Sequence, residues 1–317
     1  MSLHDVFRTP PPDVALEINQ AQVAAARVAW RGGQAVITGH ASETLPVGAV
    51  QPGLSALNIA DVPAVSQVIT RVFAELGTRP SRVALVLPDT VAKVSLVKLE
   101  HVPAKNADLN EIVKWQVRKT SPFPIEQAVL SLSPGTRGSD GSSEFVVSFA
   151  RSEVIHQYEQ ACAMAGAHAG LVDLSTFSVI NSILAGPETP AGDWLLVHVT
   201  HSYFSLAVLR DNALLFFRNR SEEAEGTLAD LMHQTAMYYE DRLNGAGFAR
   251  VLIAGGSRLP GGTEPVRRAV EARIGITVEP VDSRIAAALP DRISASPELL
   301  DTLAPLTGVL LREAKAA

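Results

Sequence analysis

The chain has one cysteine, Cys162, in 317 residues. A single thiol excludes an intrachain disulfide and any metal site built from several cysteines, and it fits a reducing compartment. Aromatic residues are scarce at 5%, and basic residues are outnumbered, giving a net charge of −6. A nucleic-acid partner calls for a basic face, which this balance does not provide. No apolar run approaches the roughly 18–20 residues of a membrane-spanning helix. The amino terminus lacks the basic flank and apolar stretch of a signal peptide, so the expectation is a soluble, cytoplasmic chain. Apolar residues are plentiful at 47%. A chain of this length and composition buries one large two-lobed core or two ordinary ones.

Strand and helix patterns alternate throughout, which points to an α/β protein with mixed sheets. A strand pair is expected over Val14 to Val28, then a strand from Gln34 to Gly39 and a loop near Leu45 to Leu57. Val65, Val68, Ile69 and Phe73 share one face of a helix expected over Val62 to Leu76, and Arg82 to Leu87 reads as a buried strand. The rhythm then changes. Val91 to Leu99 alternates as a strand, Asp108 and Glu111 form a capping-box pair, and the helix they start stops at Ser121-Pro-Phe-Pro124. A hairpin with its tip at Gly135 to Ser143 follows, then a helix from Ser152 to Ala165 ending at Gly166, and a strand from Leu171 to Leu174. The stretch from about 91 to 175 therefore reads as a β-α-β-β-α-β subdomain inserted in a first lobe of residues 1–190. A second lobe, 191–317, opens with three strands and a helix from Thr227 to Leu243. Strand Arg250 to Ala254, helix Glu264 to Ile274, strand Thr277 to Val281 and a last helix, Pro297 to Arg312, complete it. That helix is expected to pack back on the first lobe.

Particular words within this order carry a resemblance. The run DLNEIVKWQVRKTSPFPIEQAV, Asp108 to Val129, has a helix, a Pro-aromatic-Pro stop and a following strand. Val147 to Phe177, the pair Gly255-Gly256 and the closing Ala304-Pro-Leu-Thr-Gly308 add to it. Together they resemble the PilM family, the cytoplasmic actin-like component of type IV pilus machines. The resemblance covers nearly the whole chain and implies an actin-like (ribonuclease H-like) two-lobed fold. The inserted subdomain separates PilM and FtsA relatives from sugar kinases and heat-shock chaperones.

Active members of such families cradle ATP and Mg²⁺ on Asp-x-Gly turns, and the matching positions here differ. The first turn reads Glu17-Ile18-Asn19-Gln20, and the second has His198 for the carboxylate and Thr200 for the glycine. Glycine there lets backbone approach phosphate; a side chain obstructs it. The small subdomain that closes over nucleotide in the family has no counterpart between Arg218 and the Thr227 helix. These departures imply a vestigial nucleotide cleft at Glu17, Asn19, Gln20, His198, Thr200, Gly255 and Gly256, no bound cofactor and no ATP hydrolysis. Gly255-Gly256 also fits an ordinary strand-to-helix turn, and Glu17 a solvated strand end. His198 and His201, three apart on a strand, point to opposite faces and suit no metal. Met237, Tyr238 and Tyr239 read as packing in the core and at the lobe interface.

Trp115, Arg118, Phe123 and Pro124 make the best case for a partner surface, since aromatic and arginine anchors are the usual energetic centres of interfaces. Core packing of the inserted subdomain is the other reading of Trp115. The resemblance implies a scaffold gripping the cytoplasmic tail of a bitopic PilN-like membrane protein, in a groove between the first lobe and its insert. Such a scaffold would link the inner-membrane alignment complex to the motor ATPase. A working ATPase and a GspL-like scaffold of type II secretion are the competing expectations.

Overall fold

The computed structural model describes residues 11–138, 140–188, 190–221, 227–291 and 293–312. The chain opens with β1 (Val14–Ile18), β2 (Gln22–Arg31) and β3 (Gln34–Thr44), an antiparallel meander. Helix α1 (Val62–Glu75) starts at Asp61, whose carboxylate accepts from the Ala64 N–H, and buries Val65, Val68, Ile69, Val72 and Phe73 at helical spacing. Strand β4 (Arg82–Leu87) returns parallel to β1.

The insert begins with β5 (Ala92–Leu99) and α2 (Asn106–Val117), and continues with β6 (Ala128–Arg137) and β7 (Ser143–Arg151). These strands form a separate sheet in the order β5-β7-β6. The expected β-α-β-β-α-β order is present, but the insert is smaller than 91–175. Helix α3 (Ser152–Met164) packs on α1 through Val154, Tyr158 and Cys162, and β8 (His168–Leu174) pairs parallel with β4. Both therefore belong to the first lobe's own sheet, because burying α3 and completing the hydrogen bonds of β4 decide where they go. The expected cap of α2 also moves. Lys105 is the N-cap residue and makes no side-chain cap bond, while Asp108 sits in the first turn, where the helix dipole favours an anion.

Helix α4 (Ser175–Ala185) leads to the second lobe, which holds β9 (Asp193–Val199), β10 (Tyr203–Arg210) and β11 (Ala213–Ser221). Next come α5 (Leu228–Leu243), β12 (Arg250–Gly255), α6 (Glu264–Ile274), β13 (Val278–Pro280) and α7 (Pro297–Leu311). The two large sheets, β3-β2-β1-β4-β8 and β11-β10-β9-β12-β13, share one topology of three antiparallel strands followed by two parallel ones. Residues 222–227 alone join β11 to α5, and 222–226 lie outside the described residues, so the expected loss of the closing subdomain rests there on chain length. Among the described residues no helix is long and apolar enough to cross a membrane.

Helices α4 and α7 lie between the two sheets. Leu303, Leu306 and Val309 of α7 pack on Ala15, Ala26 and Val86 of the first sheet. Ala304 and the α4 residues Val179 and Ile180 pack on Trp194, Leu196 and Leu252 of the second. The helices approach so closely at Gly308 that a Cβ there would stand 1.7 Å from the Ser178 carbonyl oxygen. Tyr239 is core, stacked 4.3 Å from Phe248, whereas Met237 and Tyr238 face solvent, a correction to the packing expected of all three.

Candidate functional site

Three turns, one at the end of each of β1, β9 and β12, meet between the lobes. They bring Glu17, Asn19, Gln20, His198, Thr200, Gly255 and Gly256 onto one cavity of about 120 Å³. Sequence separations of more than two hundred residues collapse here because both sheets aim their β1-type strand ends at the same seam.

At each turn a side chain takes two backbone donors. The Asn19 side-chain Oδ1 accepts from the Ala21 and Gln22 N–H groups at 3.0 and 2.9 Å. The Thr200 hydroxyl accepts from Ser202 and Tyr203 N–H at 3.3 and 3.0 Å. The third turn requires glycine, since Gly255 has φ +78° and a Cβ would lie 2.0 Å from the Val199 carbonyl oxygen. Its Gly255 and Ser257 N–H groups both donate, at 3.0 Å each, to the Asp301 carboxylate of α7. Arg258 next to it reaches back to the Gln22 and Thr302 side chains.

A buried polar network lies beneath the cavity. Asp89, fully buried after β4, accepts from the Thr176 N–H at 3.0 Å, from the Thr176 hydroxyl and from the Ser205 hydroxyl at 2.5 Å. Because the Thr176 hydroxyl donates to Asp89, it accepts at 2.7 Å from His198 Nδ1, which fixes the imidazole as the Nδ1–H tautomer. Burial pushes the His198 pKa down against the pull of Asp89 and Asp301, so the ring is neutral. His201 is exposed, and the two histidines diverge. Glu17 is not a solvated strand end. It is 7% exposed, accepts from the Ser175 hydroxyl at 3.1 Å, and is pushed up to about 7 chiefly by burial, with Asp89 adding to the rise.

At each of the three turns two backbone donors are held, by Asn19, by Thr200 and by Asp301. The position that the resemblance assigns to a carboxylate is a neutral imidazole. Among the described residues no group of three or more His, Cys, Asp or Glu is placed to hold a metal ion. Asp89, Ser175, Thr176, Ser205 and Asp301 escaped the sequence reading. The local signals were Ser175-Thr176 at a helix start and Asp89 after a buried strand; nothing local marks Asp301, which is brought in by tertiary packing.

A second, larger cavity of about 370 Å³ opens on the other side of α4. Val129, Ser131, Val146 and Ser148 of the inserted sheet form one wall; Val172, Phe177 and Ile180 of the first lobe and Leu214 of the second form the others. Arg312 pairs with Asp173 at 2.9 Å within it, opposing the burial that pushes the Asp173 carboxyl up. β6 is an edge strand of its sheet, so among the described residues no strand pairs with its outer backbone edge.

The four expected anchors do not line this groove. Phe123 is buried in the insert's own core, 6.2 Å from Phe149. Trp115 is 70% exposed, so it is not core either. Arg118 pairs with Glu126 at 2.7 Å, and Pro124 is exposed. Strand alternation explains the correction. Leu130, Leu132, Phe145 and Val147 face the core shared with α2, so the groove takes the opposite face of the same sheet.

No curated sequence matches the chain. Among solved structures, one described as a PilM–PilN type IV pilus biogenesis complex is similar, with TM-score 0.79, 22% identity, and 96% of this chain and 99% of that one covered. A Bacteroides thetaiotaomicron protein with an actin-like ATPase fold is similar at TM-score 0.49, 8% identity and coverage of 84% and 90%. The cytoplasmic domain of EpsL from the Vibrio cholerae type II secretion system is similar at TM-score 0.48, 10% identity and coverage of 96% and 94%. The family model for type IV pilus assembly protein PilM matches residues 15–249. This match spans most of the chain: the chain belongs to the PilM family of type IV pilus assembly proteins.

Proposed function

We propose that this chain is a non-hydrolysing scaffold that grips the amino-terminal cytoplasmic tail of a PilN-like membrane protein. The tail lies extended in the groove between the inserted sheet and the first lobe, beside the outer edge of β6. Through it the chain sits at the inner membrane and links the alignment complex to the motor ATPase. The observation that carries this reading is the contrast between the two cavities. The interlobe cleft spends turn donors on Asn19, Thr200 and Asp301 and holds about 120 Å³, while the groove beside it holds about 370 Å³. An extended segment would gain main-chain bonds along β6 and place alternate side chains in the groove.

Titration calorimetry tests both halves. A peptide with the amino-terminal sequence of the neighbouring bitopic subunit is expected to bind at micromolar affinity or tighter, whereas Mg-ATP gives no saturable heat. No peptide affinity tighter than millimolar overturns the docking role. Retention of stoichiometric nucleotide through desalting overturns the expectation of an unused cleft, and release of phosphate from Mg-ATP overturns the non-hydrolysing role.

A further inference from the structure

We infer that α4 and α7 act as one rigid lever between the two cavities, and that Asp301 is a positioning residue for the groove although it lies outside it. The inference rests on the docking role proposed above.

Each helix takes part in both places. At its start, α4 is held in the cleft by Ser175, which donates to Glu17, and by Thr176, which donates to Asp89. One turn on, Phe177, Ile180 and Leu184 of the same helix line the groove. Asp301, near the start of α7, receives the Gly255 and Ser257 N–H groups of the second lobe, and Arg312 just past its end pairs with Asp173 in the groove. Those two ends of α7 are about 16 Å apart at the rise of an α-helix. The helices cannot slide past each other freely, because Gly308 brings the α7 backbone against the Ser178 carbonyl.

The groove walls also come from both lobes, since Leu209 and Leu214 belong to the second sheet. The angle between the lobes therefore sets the groove's width. That angle is fastened at the cleft by Asp301, on a helix whose Leu303, Leu306 and Val309 pack on the first sheet, bonding Gly255 and Ser257 of the second, and by Arg258 to Gln22 and Ser205 to Asp89 from lobe to lobe. The chain's own carboxylate thus takes the part that a bound ligand plays in a two-lobed protein closed by its ligand. The groove is held ready without one.

The test compares binding of the same tail peptide, by calorimetry, to the wild-type chain and to Asp301→Ala, Asp301→Asn and Arg258→Ala. Asp301→Ala is expected to weaken binding about tenfold, within the usual range for coupled sites. Asp301→Asn keeps one acceptor and falls between. Arg258 is exposed, so its alanine variant folds readily and should show a several-fold loss. Thr227→Ala, which uncaps α5 far from both cavities, serves as the stability control and should keep wild-type affinity. Equal affinity of Asp301→Ala and wild type overturns the lever.

Hydrogen exchange on the free protein gives a second readout. Faster exchange across Phe177 to Leu184 in Asp301→Ala supports the lever, and unchanged exchange there overturns it. This holds even if the peptide binds no variant, an outcome that would instead remove the docking role.

Discussion

At the residue scale the cleft's chemistry is dominated by burial. Glu17 is nearly enclosed, and its carboxyl titrates near 7 instead of the ordinary 4.5. The folded state therefore holds a proton that the unfolded chain releases between those values. Stability is full below about pH 4.5 and falls as pH rises toward and through 7, by about 3 kcal/mol for this group alone. Glu17→Gln carries no such charge, so it should melt above wild type at pH 8, with the difference vanishing near pH 4.5. Thermal melts across that range decide the matter; a gap that widens in acid would refute the sign. Gly255→Ala is a different case, combining positive φ with a 2.0 Å clash against Val199. The left-handed conformation alone costs about 1–2 kcal/mol, and the clash adds to it, so the melting temperature drops clearly. The sequence made the turn residues legible because Glu17, Asn19, His198 and Thr200 follow apolar strands in parallel positions. It could not reveal that Asn19 and Thr200 satisfy their own turns, because that depends on side-chain rotamers.

At the element scale, most helices and strands were legible from periodicity and punctuation. Helix α5 shows why: Thr227 accepts from the Asp230 N–H at 3.2 Å while Asp230 accepts from the Thr227 N–H at 2.8 Å, a reciprocal cap written in adjacent residues. Thr227→Ala should cost about 1 kcal/mol in denaturant titration. Helix α2 shows the limit, because Asp108 carries a cap signature while the helix starts two residues earlier without one. The extent of the insert was misread for a related reason. Strand pairing is non-local, so nothing within Leu171 to Leu174 says whether it joins β7 or β4. The contact between α4 and α7 was equally hidden, although Gly308 marked it. Gly308→Ala must push the helices apart or distort one of them, and overpacking of this kind costs about 1–3 kcal/mol. Ser182→Ala, one turn along α4, should be milder by comparison, and melts of the two variants measure the difference.

At the scale of the whole molecule, one topology is used twice, and the use of the seam between the copies distinguishes this chain. Two β1-type strands and a β12 turn converge where a ligand could close the lobes, yet Asn19 and Thr200 satisfy their own turns and Asp301 of α7 holds the third. The proposed docking role puts function on the surface around the insert. Its sheet has two faces, and they make opposite predictions. Ser131 points from β6 into the groove and is exposed, so Ser131→Trp places a large ring where the tail would lie. A strand readily accepts tryptophan, so the fold should survive with little change in melting temperature. Peptide affinity should fall at least about tenfold, the effect of losing roughly 1.4 kcal/mol of contact. Trp115 stands exposed on α2, on the other face, and Trp115→Ala should leave affinity unchanged. The paired result distinguishes a groove from a hot spot on the helix. If Trp115→Ala abolishes binding and Ser131→Trp does not, the partner docks on α2, and the open groove has some other occupant.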